Sequence, residues 1–253
     1  MPGIERTFKS LEKEGTDFYV LTNDASRSPE ELSGYFTSRG VAQITPDKII
    51  SSGMLARDYL KLKVKKGVVA YLGTDKSAHY IESAGLHTLP ISQLNLREVE
   101  EVSALVLLDD EGFDWNHDVN KVVNLLRKRT IPVIVANTDT AYPVSKEEVA
   151  VAIGGLADMV EAIVGKRFIR FGKPDAQMFM FAYELILRRN PTTRDRILMV
   201  GDTLATDIMG GNKFGLDTAL VLSGNTLPDQ ALTLIRSTGI IPTHICESAV
   251  VNA

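Results

Sequence analysis

The apolar run Ile197-Leu198-Met199-Val200 breaks at Gly201 and leads into Asp202-Thr203-Leu204-Ala205-Thr206-Asp207-Ile208. The run reads as a short buried strand, Gly201 as the turn that ends it, and Asp207 as the start of a helix. In a parallel α/β sheet, ligands sit beyond the carboxyl ends of the strands. Two acids at such an edge suit a hard, oxygen-liganded cation such as Mg²⁺. Helix capping is the equal alternative, because Asp is favoured at helix N-termini. Two further strand ends carry complementary groups. Leu21-Thr22-Asn23-Asp24 offers a hydroxyl and adjacent backbone N–H groups to a phosphate oxygen, or is a plain turn of the kind Asn and Asp favour. Gly172-Lys173-Pro174 holds an ammonium between a glycine and a helix-starting proline, where it neutralises a phosphoryl group and an attacking carboxylate. An ordinary surface lysine is the plainer reading of that tripeptide.

The elements that must position these residues alternate along the chain. A helix through Leu11–Glu14 stops at Gly15, and Phe18–Leu21 is a buried strand. Ser28-Pro29-Glu30-Glu31 opens a helix with a hydroxyl, a first-turn proline and acids. Strands are expected at Gly67–Leu72, Ala104–Leu108, Pro132–Ala136, Ile197–Val200 and Thr218–Val221. Helices are expected over Val119–Leu126 and Glu147–Ile163, from Pro174 to Arg189, and after Asp207. The alternation predicts an α/β fold with a largely parallel sheet.

Bulk properties narrow the function classes. The 253 residues are 44% hydrophobic and 24% charged, as in a soluble globular protein, with a net charge of -4. That charge gives no reason to expect nucleic acid or an anionic membrane as partner. No apolar stretch approaches the roughly 20 residues of a membrane span, and the N-terminus lacks a signal-peptide core. The single Cys246 excludes an internal disulfide, suits a reducing cytoplasm, and is expected as a small core residue. His79, His87, His117 and His244 show no metal-ligand spacing. A nucleotide-dependent oxidoreductase is disfavoured: no Gly-x-Gly-x-x-Gly follows a first strand, and no Gly-Lys-Ser/Thr occurs.

In order and context, Thr22-Asn23, Gly172-Lys173-Pro174 and Gly201-Asp202 with Thr206-Asp207-Ile208 resemble motifs two, three and four of the haloacid dehalogenase superfamily. The Leu-Thr-Asn and Gly-Asp-x-x-x-Thr-Asp-Ile variants resemble its NagD-like phosphatases, which include p-nitrophenyl phosphatases, phosphoglycolate phosphatases and pyridoxal phosphate phosphatases. The resemblance covers nearly the whole chain. It implies a Rossmann-like three-layer core, residues 1–52 and 166–253, with a large α/β cap inserted at 53–165. It implies Mg²⁺-dependent hydrolysis of a small phosphate monoester through an aspartyl-phosphate. Thr22 and Lys173 are then catalytic. Thr22, Asn23, Asp24, Lys173 and the cap residue Tyr142, in Ala136–Pro143, bind substrate. Asp202 ligates the metal, with Asp207 in the metal set mainly in support. Asp24 departs from the family, in which Asn is commoner. The partner implied is a small phosphorylated metabolite, and a homodimer is the assembly that relatives suggest.

The superfamily's first motif, Asp-x-Asp, supplies the nucleophile and the general acid and base. No such motif precedes Thr22, and Met1-Pro2-Gly3 resembles the Pro-Gly that follows it in relatives. Asp109-Asp110 and Asp114 fall inside the expected cap, and Asp17 at the wrong end of its strand. The first core strand is therefore expected to be missing, the natural chain to begin further upstream, and this chain to be inactive. The rival reading is a non-catalytic protein that binds or senses a phosphorylated ligand.

Overall fold

The computed structural model describes residues 3–144 and 148–250. Along the chain, α1 (Ile4–Lys13), β1 (Val20–Thr22), α2 (Pro29–Thr37) and β2 (Ile49–Ser51) come first. Then follow α3 (Ser52–Tyr59), β3 (Val68–Leu72), α4 (His79–Glu82), β4 (His87–Pro90) and β5 (Val102–Leu107). Next are α5 (His117–Lys128), β6 (Val133–Val135), β7 (Ala141–Pro143), β8 (Val149–Val151), α6 (Ile153–Val164) and β9 (Ile169–Arg170). The chain closes with α7 (Ala176–Arg189), β10 (Leu198–Gly201), α8 (Met209–Phe214), β11 (Asp217–Val221), α9 (Pro228–Thr238) and β12 (His244–Cys246). It divides into two compact units. Unit 1 comprises Met1–Leu21, Glu30–Ile50 and Lys173–Ala253, and unit 2 comprises Thr22–Pro29 and Ser51–Gly172.

Unit 2 is built on a five-stranded parallel sheet of order β4-β3-β5-β6-β9. Strands covered on both faces read as continuous apolar runs, and β3 and β5 do so in Val68-Val69-Ala70-Tyr71-Leu72 and Ala104-Leu105-Val106-Leu107. Helix α5 buries Val119, Val122 and Leu125, one turn apart, and α6 buries Leu156, Ala157 and Val160. These side chains form one core with Leu105, Leu107, Val133 and Val135. Each contributes about 1.5–3 kcal/mol of burial if large and aliphatic. β7 and β8 form a separate antiparallel hairpin.

In unit 1 the strands fall into two sheets, β1-β2 and the parallel β10-β11-β12. Leu32, Val41, Ile44 and Ile49 form one core; Leu204, Ile208 and Leu220 form another.

Three expectations need correction. The strand ending at Gly201 is not buried: Leu198 and Val200 are 50% and 46% exposed. Among the described strands, β10 pairs with β11 alone. The helix expected over 147–163 is a strand and then a helix, with β8 at Val149–Val151 and α6 starting at Ile153. The Val149-Ala150-Val151 alternation suits β structure locally and competes with the helical period that follows. Cys246 is exposed rather than in the core, because β12 is an edge strand. Met1, Pro2 and Glu147 lie outside the described residues. Among the described residues, no helix is long and apolar enough to cross a membrane.

Candidate functional site

In unit 1, β10 ends at Gly201 and the chain enters a π-helical turn, Leu204–Ile208. This turn swings Asp207 back under the strand end. Its buried carboxylate accepts through Oδ2 from the backbone N–H of both Asp202 and Thr203, each at 3.1 Å. Its Oδ1 lies 2.7 Å from Lys173 Nζ. The ammonium also donates to the carbonyl of Leu21 in β1, at 2.9 Å. Lys173 and Asp207 are 14% and 6% exposed, so the pair is largely shielded from solvent. One carboxylate thus fixes both the turn that carries Asp202 and the lysine.

Asp202 is half-buried. Its Oδ1 accepts from Thr203 Oγ1 at 3.2 Å and its Oδ2 from the Asn225 N–H at 2.9 Å. Asn225 Nδ2 donates to Thr203 Oγ1 at 2.7 Å, and Thr226 N–H to the Asp202 carbonyl at 3.0 Å. A side chain at Gly224 would place its Cβ 1.7 Å from Asp202 Oδ2. The loop after β11 therefore closes on the carboxylate as bare backbone. Each Asp202 oxygen keeps a lone pair, so the group fits one position of a Mg²⁺ shell, an ion that takes one or two carboxylates and fills the rest with water and phosphate oxygens. Asp207, with Oδ2 on two amides and Oδ1 on Lys173, holds Asp202 from behind. Among the described residues, no group of three or more His, Cys, Asp or Glu gathers to hold a metal ion.

Unit 2 holds a second cluster at the carboxyl edge of its parallel sheet. Asn23 Nδ2 donates to Asp139 Oδ1 at 2.9 Å and to Thr138 Oγ1 at 3.2 Å, both just past β6. Ser52 Oγ donates to the Asn23 carbonyl at 2.9 Å. Thr22 Oγ1 accepts from the Asp24 N–H at 3.1 Å. Asp24 turns its charge into its own loop: Oδ1 accepts from Ser26 N and Oγ and from Arg27 N, and Oδ2 pairs with Arg27 Nη1 at 2.9 Å. Its extra charge relative to the family's Asn is thereby paired. Tyr142, on the exposed hairpin, donates its hydroxyl to Asp110 Oδ2 at 2.9 Å, and that bond raises the phenol pKa. Asp17, at the far end of β1, accepts from Asn190.

The partners Asn225, Gly224, Thr138 and Asp139 were not singled out in the sequence. The Gly224-Asn225 turn after a strand was a usable signal for the first two. Asp109 also gains significance from structure. It follows β5, and burial first, then the charges of Asp110, Glu111 and Asp24, push its pKa from 3.8 up to about 6. The folded state thus holds this proton to higher pH than the unfolded chain, so stability falls as pH rises through that window. Allowing for solvent screening of a partly exposed group, the penalty at neutral pH is about 1–2 kcal/mol. Asp109→Asn keeps the acceptor for the Asp110 N–H. It is expected to raise stability by about that amount above about pH 7 and to change nothing below about pH 4. Urea midpoints at the two pH values check this, and a gain independent of pH would contradict it.

Known proteins are similar to this chain over most of its length. The haloacid dehalogenase-like hydrolase family model matches residues 1–87, and the HAD-hydrolase-like model matches residues 170–249. A solved structure from Cytophaga hutchinsonii, described as a possible sugar phosphatase of the HAD superfamily, is 62% identical with a TM-score of 0.95. The match covers 100% of this chain and 89% of that one. The chain belongs to the haloacid dehalogenase superfamily. Within it, the chain is a hydrolase of the NagD-like phosphatase branch, which acts on small phosphate substrates. Dihydroxyacetone phosphatase of Corynebacterium glutamicum is 28% identical, over 98% of this chain and 82% of its own length. Ribonucleotide monophosphatase NagD of Escherichia coli is 26% identical, over 96% and 89%.

Proposed function

We propose that the chain binds a small phosphate monoester, such as a sugar phosphate, phosphoglycolate or a nucleotide, together with Mg²⁺ at Asp202. The observation that carries this is the buried Asp207, which sets both Asp202 and Lys173. When bound, Mg²⁺ supplies positive charge to the phosphoryl oxygens. Lys173 Nζ adds a second positive charge, already aimed and partly desolvated. Thr22 Oγ1 donates to a phosphoryl oxygen, with the backbone N–H groups of Asn23 and Asp24 beside it. Tyr142 contacts the leaving group from the cap. In the superfamily an Asp of Asp-x-Asp attacks phosphorus and the resulting aspartyl-phosphate is hydrolysed. For hydrolysis by that route the chain supplies the phosphate and metal contacts, Thr22, Lys173 and Asp202.

The test measures turnover of p-nitrophenyl phosphate with Mg²⁺ alongside calorimetric binding of inorganic phosphate. Mg²⁺-dependent phosphate binding is expected, and Asp202→Asn is expected to weaken it at least about tenfold. Phosphate binding that ignores Mg²⁺, or that Asp202→Asn leaves unchanged, would sink this reading. The second reading is a regulatory binder, which would hold a phosphorylated ligand on Thr22 and Lys173 and never turn it over. The genomic DNA just upstream of the Met1 codon separates the two: an in-frame Asp-x-Asp favours the enzyme, a stop codon the binder.

A further inference from the structure

Every strand of the unit 2 sheet runs parallel to its neighbours, so segments entering strands all arrive at its amino edge. Charge differs along the two edges: at the amino edge Glu98, Glu100 and Glu101 precede β5, Glu100 being paired with Arg129, while the segment before β3 is basic. Asp109 and Asp110 leave β5, and Asp139 follows β6, at the carboxyl edge. The segment that enters β3 is Leu60-Lys61-Leu62-Lys63-Val64-Lys65-Lys66. Its four lysines are all exposed, and among the described residues no carboxylate comes within ion-pair distance of any of them. Leu60 anchors the segment at 0% exposure, while Leu62, between two lysines, is 67% exposed. The backbone leaves α3 through a π-helical turn over Leu60–Val64 and bends at Lys65, whose φ is 64°. Lys65 is the non-glycine residue of positive φ among the described residues. A chain of net charge -4 therefore concentrates unpaired positive charge around one exposed aliphatic side chain.

We propose that this edge docks on an anionic phospholipid surface, with Leu62 entering the headgroup layer and Lys61, Lys63, Lys65 and Lys66 binding lipid phosphates. Charge complementarity selects a polyanion, and Leu62 selects lipid among polyanions. Juxtamembrane clusters of this size bind anionic lipid through such summed attractions, and an aliphatic residue adds apolar burial. Single-stranded nucleic acid is held by arginine and by aromatic stacking. The segment contains neither, and the adjacent Tyr59 packs on Phe171. Net charge argues against such a partner for the molecule as a whole, but attraction at a surface acts within a Debye length of about 8–10 Å and is set by the local patch.

The experiment is vesicle co-sedimentation of the whole chain, using phosphatidylcholine alone and phosphatidylcholine mixed with phosphatidylserine. Binding is expected only to the mixed vesicles and is expected to weaken at high salt. Lys61→Ala, Lys63→Ala and Lys66→Ala combined should lower partition about 100-fold, at about fivefold per lysine. Leu62→Ser should lower it about tenfold while leaving the salt dependence intact. All four positions are exposed, so the thermal midpoint should not move, and a circular dichroism melt verifies this. Equal binding to both vesicle types, no binding to either, or unchanged partition of the triple variant overturns the proposal. So does tighter capture of polyuridylate than of mixed vesicles through the same lysines, which would make nucleic acid the partner.

Discussion

Replacing Asp207 with alanine is expected to lower the stability of unit 1 by about 3–5 kcal/mol, the loss typical of breaking a buried ion pair from one side. Three groups lose their partner together. Lys173 loses the carboxylate that faces it, and the N–H groups of Asp202 and Thr203 lose Oδ2. An unsatisfied buried donor costs about 1–3 kcal/mol and a charged one more. Asp207→Asn keeps one acceptor for the turn but removes the charge facing Lys173, so a smaller loss is expected. Denaturant titration followed by circular dichroism measures the difference. Hydrogen exchange at the Asp202 and Thr203 amides locates it, and unchanged protection there would refute the proposed link between Asp207 and the turn. Phosphate binding should weaken in parallel, because the same carboxylate aims both Lys173 and Asp202.

A methyl group at Gly53 should destabilise unit 2. Gly53 lies buried in α3, and its Cβ would stand 2.3–2.7 Å from ring atoms of Tyr80. That ring is 1% exposed and its hydroxyl is held at both sides, 2.6 Å from Ser51 Oγ and 2.8 Å from the Arg27 carbonyl. Overpacking of this kind costs about 1–3 kcal/mol, against a helix-propensity gain from Gly to Ala of up to about 1 kcal/mol. Gly53→Ala is therefore expected to lose about 1–2 kcal/mol net. Trp115, the chain's one tryptophan, lies in unit 2, and its fluorescence reports the transition. A variant as stable as the parent would show that α3 shifts freely, and would undercut the rigid placement of Asn23 through Ser52.

Much of the fold was legible because its signals are local. β3, β5, β6 and β11 stood out as apolar runs, since strands buried on both faces need no alternation. Helix α2 was marked by Ser28-Pro29-Glu30, where a capping hydroxyl and a first-turn proline act within a single turn. The strand and helix between 148 and 164 were merged in the sequence reading. A short β-branched run next to a helical period can be assigned only once a partner strand is known, and β8 finds its partner in β7. The exposure of Leu198, Val200 and Cys246 was illegible for a related reason. Burial of a strand depends on what lies beside it, and hydropathy describes only the strand itself.

The site divides along the same line. Sequence alone determined which groups are available: two acids after a glycine turn, a lysine between Gly and Pro, and a hydroxyl at a strand end. Those are matters of residue type and order. Tertiary structure decided what each group does. It spent the Asp207 carboxylate on two amides and Lys173, left Asp202 with lone pairs to offer, and paired Asp24 with Arg27. It also gathered the lysines of 60–66 at one edge of a sheet in a molecule whose net charge is negative. Charges and hydrogen bonds act through space over a few ångströms, and only the fold sets which residues come that close.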